Sequence, residues 1–306
     1  MKTISGISRT LFALLASTLG TAAFSQTSPS TSAPLPQGAA PGHVDLANLD
    51  QPAPERNAWY FSWGYSRQHY ARSDIHVHQG ALGNDFTVHQ VAGSDFPANV
   101  PETFKNLRDL NFTTPQENLR IGWFSDASRT FAVEFSLDHT KYNTNLGQVA
   151  HISGTVNHAP VNQDLLLTDQ SFSYALHNGL NHIMLNAVWF RHLLGPEQQT
   201  GDLQFIGRVG AGILLPHAQN TIFGQEVQVG PKNRNVCCFS SKDWWQLNGW
   251  TVGTELGLRY SVYKPVYLEF TTKLAYGSLR HVPVYEGTAD QTLWMSEQVL
   301  SVGTTF

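Results

Sequence analysis

From Trp59 onward apolar and polar residues alternate one by one, the period that puts successive side chains on opposite faces of a β-strand. Residues 58–66 set Trp59, Phe61, Trp63 and Tyr65 against Tyr60, Ser62, Gly64 and Ser66. The same reading places strands at 117–124, 129–140, 182–193, 203–216, 249–261, 265–278 and 293–306. Run 129–140 is the clearest, with Phe131, Val133, Phe135 and Leu137 opposing Thr130, Ala132, Glu134, Ser136 and Asp138. Short links fall at 125–128, 195–202 and 262–265, and long ones at about 67–116, 141–181, 217–248 and 279–292. Periplasmic turns and extracellular loops alternate in length this way in membrane barrels, and a soluble sandwich does not account for it. The pattern predicts an all-β fold, a transmembrane antiparallel up-and-down β-barrel of about eight strands with long extracellular loops. Ten or twelve strands follow if loop hairpins join the wall. One such hairpin is expected at 74–78 and 85–89.

Composition supports this picture. Charged residues make up 14% and aromatics 11% of the 306 residues, with 25 glycines, against about 25% charged in an ordinary soluble chain. Mean hydropathy is −0.23, as expected when only one face of each strand is apolar. The net charge of −4 and the absence of a basic run argue against nucleic acid as a partner.

Residues 1–25 read as a secretory signal: Lys2 and Arg9, a short apolar core from Leu11 to Leu19, and a small-x-small site at Ala23-Phe24-Ser25. Residues 26–57 are rich in Ser, Thr, Pro, Ala and Gly, and are expected to form a flexible periplasmic leader. The barrel is then 58–306, in the outer membrane. Two adjacent cysteines, Cys237 and Cys238, make neither a disulfide framework nor a CxxC site, and their redox state is left open.

The alternation turns Arg120, Arg208, Arg259 and Lys273 inward together with Glu134, Asp138, Glu255 and Glu269. An eight-stranded wall leaves room for little but its own side chains, and buried charges must be paired. The interior is therefore expected to be a plug, with a narrow conduit as the alternative.

The chain ends Val302-Gly303-Thr304-Thr305-Phe306. This terminal aromatic, after alternating uncharged positions, resembles the C-terminal signal of bacterial outer-membrane barrels, of the small OmpA-like eight-stranded type. The resemblance implies that Phe306 is read by the barrel-assembly machinery. The segment Trp59 to His76 is also similar to a group of barrel proteins without an established activity.

Three sets of residues are candidates for chemistry. His76-x-His78 places two imidazoles on one strand face, and a metal would need further ligands, with His89 or Asp74 the nearest in sequence; a surface hydrogen-bonding role is the simpler reading. Asp138 and His182 face inward on neighbouring strands, and a carboxylate can orient an imidazole for general-base work, or serve in an ordinary ion pair. His139 points outward at head-group level, where lipid-modifying barrels carry His and Ser, but Ser136 faces inward. No cofactor is implied and no ligand for the loops is named. Surface interaction or envelope integrity, an envelope-modifying enzyme, and a narrow pore stay open in that order.

Overall fold

The computed structural model describes residues 58–95, 116–228, 237–239 and 243–306, with only the backbone at 177, 178, 227, 228 and 237. All lie in the compact unit Pro52–Phe306; the signal and the leader expected at 1–25 and 26–57 fall outside the described residues. No helix among them is long and apolar enough to cross a membrane, which says nothing of strands.

The first wall strand, β1 (Trp59–Tyr70), leads into a hairpin of β2 (Ser73–Gln79) and β3 (Asn84–Val91), then a short β4 (Gly93–Ser94). Wall strands β5 (Glu117–Phe124) and β6 (Phe131–Thr144) follow, then a second hairpin, β7 (Val149–Val156) and β8 (Ala159–Leu166). Next come the wall strands β9 (Phe172–Leu194) and β10 (Leu203–Pro216). Four short pieces, β11 (Gln219–Ile222), β12 (Gln225–Gln228), β13 (Cys237–Cys238) and β14 (Trp245–Gln246), precede the last wall strands. These are β15 (Gly249–Tyr263), β16 (Val266–Val284) and β17 (Gly287–Thr305).

Each wall strand pairs antiparallel with the next, and β17 returns to β1 in register from Tyr60↔Thr305 to Tyr70↔Met295. The pairing ring therefore closes through β1, β5, β6, β9, β10, β15, β16 and β17, and closure removes the sheet edges that lipid could not satisfy. Trp59 and Phe306 exchange backbone hydrogen bonds of 2.7 and 2.8 Å, locking the terminal aromatic onto β1. The outer face is apolar, with Phe61, Ile121, Phe135, Leu185, Val209, Leu256, Phe270 and Leu300 exposed. Trp59 and Trp189 flank this band at one end, and Trp250, Tyr276 and Trp294 in ring contact at the other, as interfacial girdles do.

The turns follow from local chemistry. Asp126 closes β5 onto β6, accepting from the Thr130 and Phe131 amides, each at 3.0 Å, and from the Thr130 hydroxyl at 2.9 Å. Slight burial opposes ionisation, but these bonds and that from Ser128 hold its pKa at about 2. Asn157 and His158 both take positive φ, 49° and 61°, the geometry of a two-residue hairpin turn.

One expectation is corrected. No long loop occupies 279–292: β16 and β17 run on as a hairpin to Val284↔Gly287, with a bulge between Leu279 and Val282. Arg280, His281 and Pro283 interrupt the alternation there, yet Val282, Val284 and Ala289 pack into an apolar core that holds the strands extended. Likewise β9 begins at Phe172, well before the expected 182, and 141–181 contains the β7–β8 hairpin. Loop length therefore alternates less strictly than the sequence suggested.

The strand extensions build a second layer. The expected β2–β3 hairpin pairs with β17 above β1 (Ala289↔Val77), β3 pairs with β7, and β7 with β8. Ile75, Val77, Phe86, Val88 and Ile152 point inward to meet Phe172, Tyr174, Leu176, Ile222 and Leu279, all nearly fully buried. Each such side chain contributes about 1.5–3 kcal/mol by leaving water, so this extracellular layer has a core of its own.

Candidate functional site: a sealed lumen beneath a histidine-bearing sheet

The lumen is filled in three tiers. At the periplasmic end Tyr60, Phe124, Phe190 and Tyr267 form a buried aromatic floor. The Arg259 guanidinium lies 3.8 Å from the Tyr267 ring centroid and 4.6 Å from that of Phe190. Any Cβ at Gly122 or Gly303 would overlap the rings of Tyr60 and Tyr267, so glycine is what lets these rings lie flat across the wall.

The middle tier is ionic, and the charges named from the alternation meet there. Arg208 reaches Glu134 at 3.1 Å, Glu255 at 3.0 Å and Glu269 at 2.7 Å. Arg259 also holds Glu269, at 2.9 Å. Asp138 lies between Arg120 and Lys273, both at 2.5 Å, and Tyr60 donates to Glu134 at 2.7 Å. The sequence reading missed Glu297, which accepts from Gln68 at 2.9 Å and Asn118 at 3.0 Å, with Lys273 at 3.9 Å. Its odd position opposite Trp294, Leu300 and Val302 was the available signal. A cavity lined here by Ser136, Met184, Asn186, Arg208, Glu255 and Lys273 measures about 10 Å³, the lower limit for one water molecule. Above lies the extracellular apolar core.

Asp138 and His182 do stand opposite each other in register, but no dyad forms. The Asp138 carboxylate is taken by Arg120, Lys273 and Asn118, while His182 Nδ1 lies 3.2 Å from the Thr251 hydroxyl. Both side chains are fully buried, out of a substrate's reach. His139 does face outward but is not at a lipid surface: it is buried, bonded to Asn181 at 2.6 Å, with its ring 6.3 Å from that of Trp245. Trp244 stacks on the buried His217 at 3.6 Å, so both tryptophans pack against rim histidines. Cys238 is disulfide-bonded.

The outward face of the extracellular sheet carries His76, His78, His89 and His151. Asp85 receives His76 at 2.7 Å and His78 at 3.4 Å, whereas His89 turns to Asp74 at 3.1 Å. The proposed metal trio is thus split over two carboxylates on one face. Among the described residues no group of three or more His, Cys, Asp or Glu side chains could hold a metal ion. Hydrogen bonding from His76 keeps the Asp85 pKa below the usual carboxylate value.

On β7, His151 Nδ1 lies 3.1 Å from Asp164 and Nε2 lies 2.8 Å from Asn162. The bond to Asp164, then that to Asn162, raises its pKa above 6.5. A raised folded value means that the link contributes fully below the unfolded value of 6.5 and is lost as pH rises through the folded one. An NMR titration of His151 in folded protein is expected to give a midpoint above 6.5. Asp164→Asn is expected to lower it; an unchanged midpoint would contradict the assignment.

A closed antiparallel ring, an apolar outer band between aromatic girdles and a sealed polar lumen define an outer-membrane β-barrel. Among solved structures the chain is similar to the outer membrane protein OprG from Pseudomonas aeruginosa, with 12% identity over 82% of this chain and 96% of that chain, TM-score 0.37. It is also similar to Neisserial surface protein A, with 11% identity over 81% and 99% of the two chains, TM-score 0.35. A third is Ail, the attachment invasion locus protein of Yersinia pestis, with 12% identity over 82% and 99%, TM-score 0.30. No protein-family model matches the chain, and no curated protein does.

Proposed function

We propose that this protein is a non-conducting outer-membrane barrel that holds its extracellular sheet as a platform for surface interaction. The observation that carries this reading is the pairing of two features in one sheet. The inner face of β2, β3 and β7 is locked into an apolar core, while the outer face leaves His76, His78, Asp85 and His151 to solvent. A rigid support under an exposed polar face suits recognition, and a filled lumen does not suit transport. The protein's lipid contacts are those of the apolar band, and Phe306, which follows β17 and is bonded to Trp59 of β1, is the residue offered to the barrel-assembly machinery.

Purified barrel in planar bilayers is expected to give no discrete conductance, and its overexpression no change in the mass profile of lipid A or phospholipids. Replacing residues 149–166 with a short Gly-Ser link is expected to preserve heat-modifiable migration while abolishing surface attachment by cells that express it. Discrete channels, or a modified lipid, would overturn the proposal in favour of a pore or an enzyme.

A further inference from the structure

Strand β8 ends the sheet: among the described residues it pairs with β7 and with no other strand. Leu167 exchanges backbone bonds with Gln148 and Gly147, which sets the phase of the ladder. By antiparallel alternation Val161, Gln163 and Leu165 bond toward β7, and Asn162, Asp164 and Leu166 aim their N–H and C=O groups away from it. Pro160 offers only its carbonyl on that side. Such an edge is a template for another strand.

We infer that the partner on this edge is a second copy of β8, paired antiparallel about Gln163. This deepens, and rests on, the reading of the sheet as a surface platform. The register follows from side-chain chemistry. Centred on Gln163, the pairing sets Asn162 opposite the other copy's Asp164, so that an amide donor meets a carboxylate twice. Val161 then meets Leu165 on the other face, and Leu166 donates its amide to the Pro160 carbonyl. Moving the centre to Asp164 would set two carboxylates face to face, which cross-strand pairing disfavours. Moving it to Asn162 would put Asp164 opposite Pro160, which has no donor. The groups are held ready: His151 engages the Asn162 carbonyl oxygen and one Asp164 oxygen, leaving the amide N–H groups and the second carboxylate oxygen for the other copy. Asn162, Gln163, Asp164 and Leu166 are all exposed. A charge and a proline on an edge strand ordinarily block association; in this one register neither does.

The test uses the full-length protein in outer membranes of intact cells, with heat-modifiable migration confirming that each variant is folded. Gln163 would face its own counterpart in a non-hydrogen-bonded pair, whose Cα separation of about 4.5 Å lies within the disulfide range. Gln163→Cys is therefore expected to give a covalent homodimer on mild oxidation, absent from the parent chain and from Asn162→Cys. Adding Asn162→Asp to Gln163→Cys is expected to abolish the dimer by opposing two carboxylates, and further adding Asp164→Asn to restore it. Failure of Gln163→Cys to exceed Asn162→Cys, or failure of the swap to restore the dimer, would overturn the inference. A cross-link to a different protein would overturn self-pairing while leaving the platform intact, and conductance tests that platform separately.

Discussion

Arg208→Ala is expected to be the most destabilising single change in the wall. Its guanidinium is the shared partner of Glu134, Glu255 and Glu269, at 3.1, 3.0 and 2.7 Å. Removing it leaves three carboxylates crowded in a tier that, with Arg208 in place, has room for at most one water. Breaking a buried pair costs about 3–5 kcal/mol, and the loss here belongs at the upper end because three anions lose one cation. The temperature at which the heat-modifiable band disappears should fall accordingly, as should the urea midpoint. Arg208→Lys should lie between the two, since an ammonium keeps the charge but not the planar fork. Glu255→Ala should cost less than Arg208→Ala, because Arg208 keeps two other carboxylates. A change within about 1 kcal/mol, the range of solvent-exposed pairs, would mean that water reaches this tier.

Phe135→Arg is expected to have the second largest effect, for the opposite reason. Phe135 is 48% exposed on the outer face, opposite Ile121 on β5 and Leu185 on β9. An arginine near the membrane midplane of a barrel costs roughly 2–4 kcal/mol, whereas Phe135→Ala should cost less because the wall need not repack. A cysteine at position 135 should react with lipid-soluble probes and one at Glu134 should not. Reversed labelling would displace the facing of β6 by one residue, and with it every inward group assigned to that strand.

Both predictions rest on facing, and facing was legible in the sequence because it is local. A strand's side chains alternate whatever surrounds it, so Arg120, Arg208, Arg259 and Lys273 could be placed inside with Glu134, Asp138, Glu255 and Glu269 from the pattern alone. The hairpin at 74–78 and 85–89 was visible for the same reason. Which cation meets which anion was not, since Arg208 and Glu134 are 74 positions apart and meet only when the wall closes.

Other features existed only in three dimensions. The exposure of His139 was misjudged because alternation gives direction but not cover, and the cover comes from Trp245, far along the chain. The apparent Asp138–His182 dyad fails because two cations from other strands reach the carboxylate first. The extension of β16 and β17 through Arg280, His281 and Pro283 runs against local preference, and burial of Val282 and Val284 against residues from other hairpins holds it. The sequence by itself determined which way each wall residue points, because that follows from backbone geometry one residue at a time. Only the tertiary structure decided which charges pair, which histidines are covered and which strand edge is left without a partner strand among the described residues, because each depends on groups distant in sequence that meet only in the folded chain.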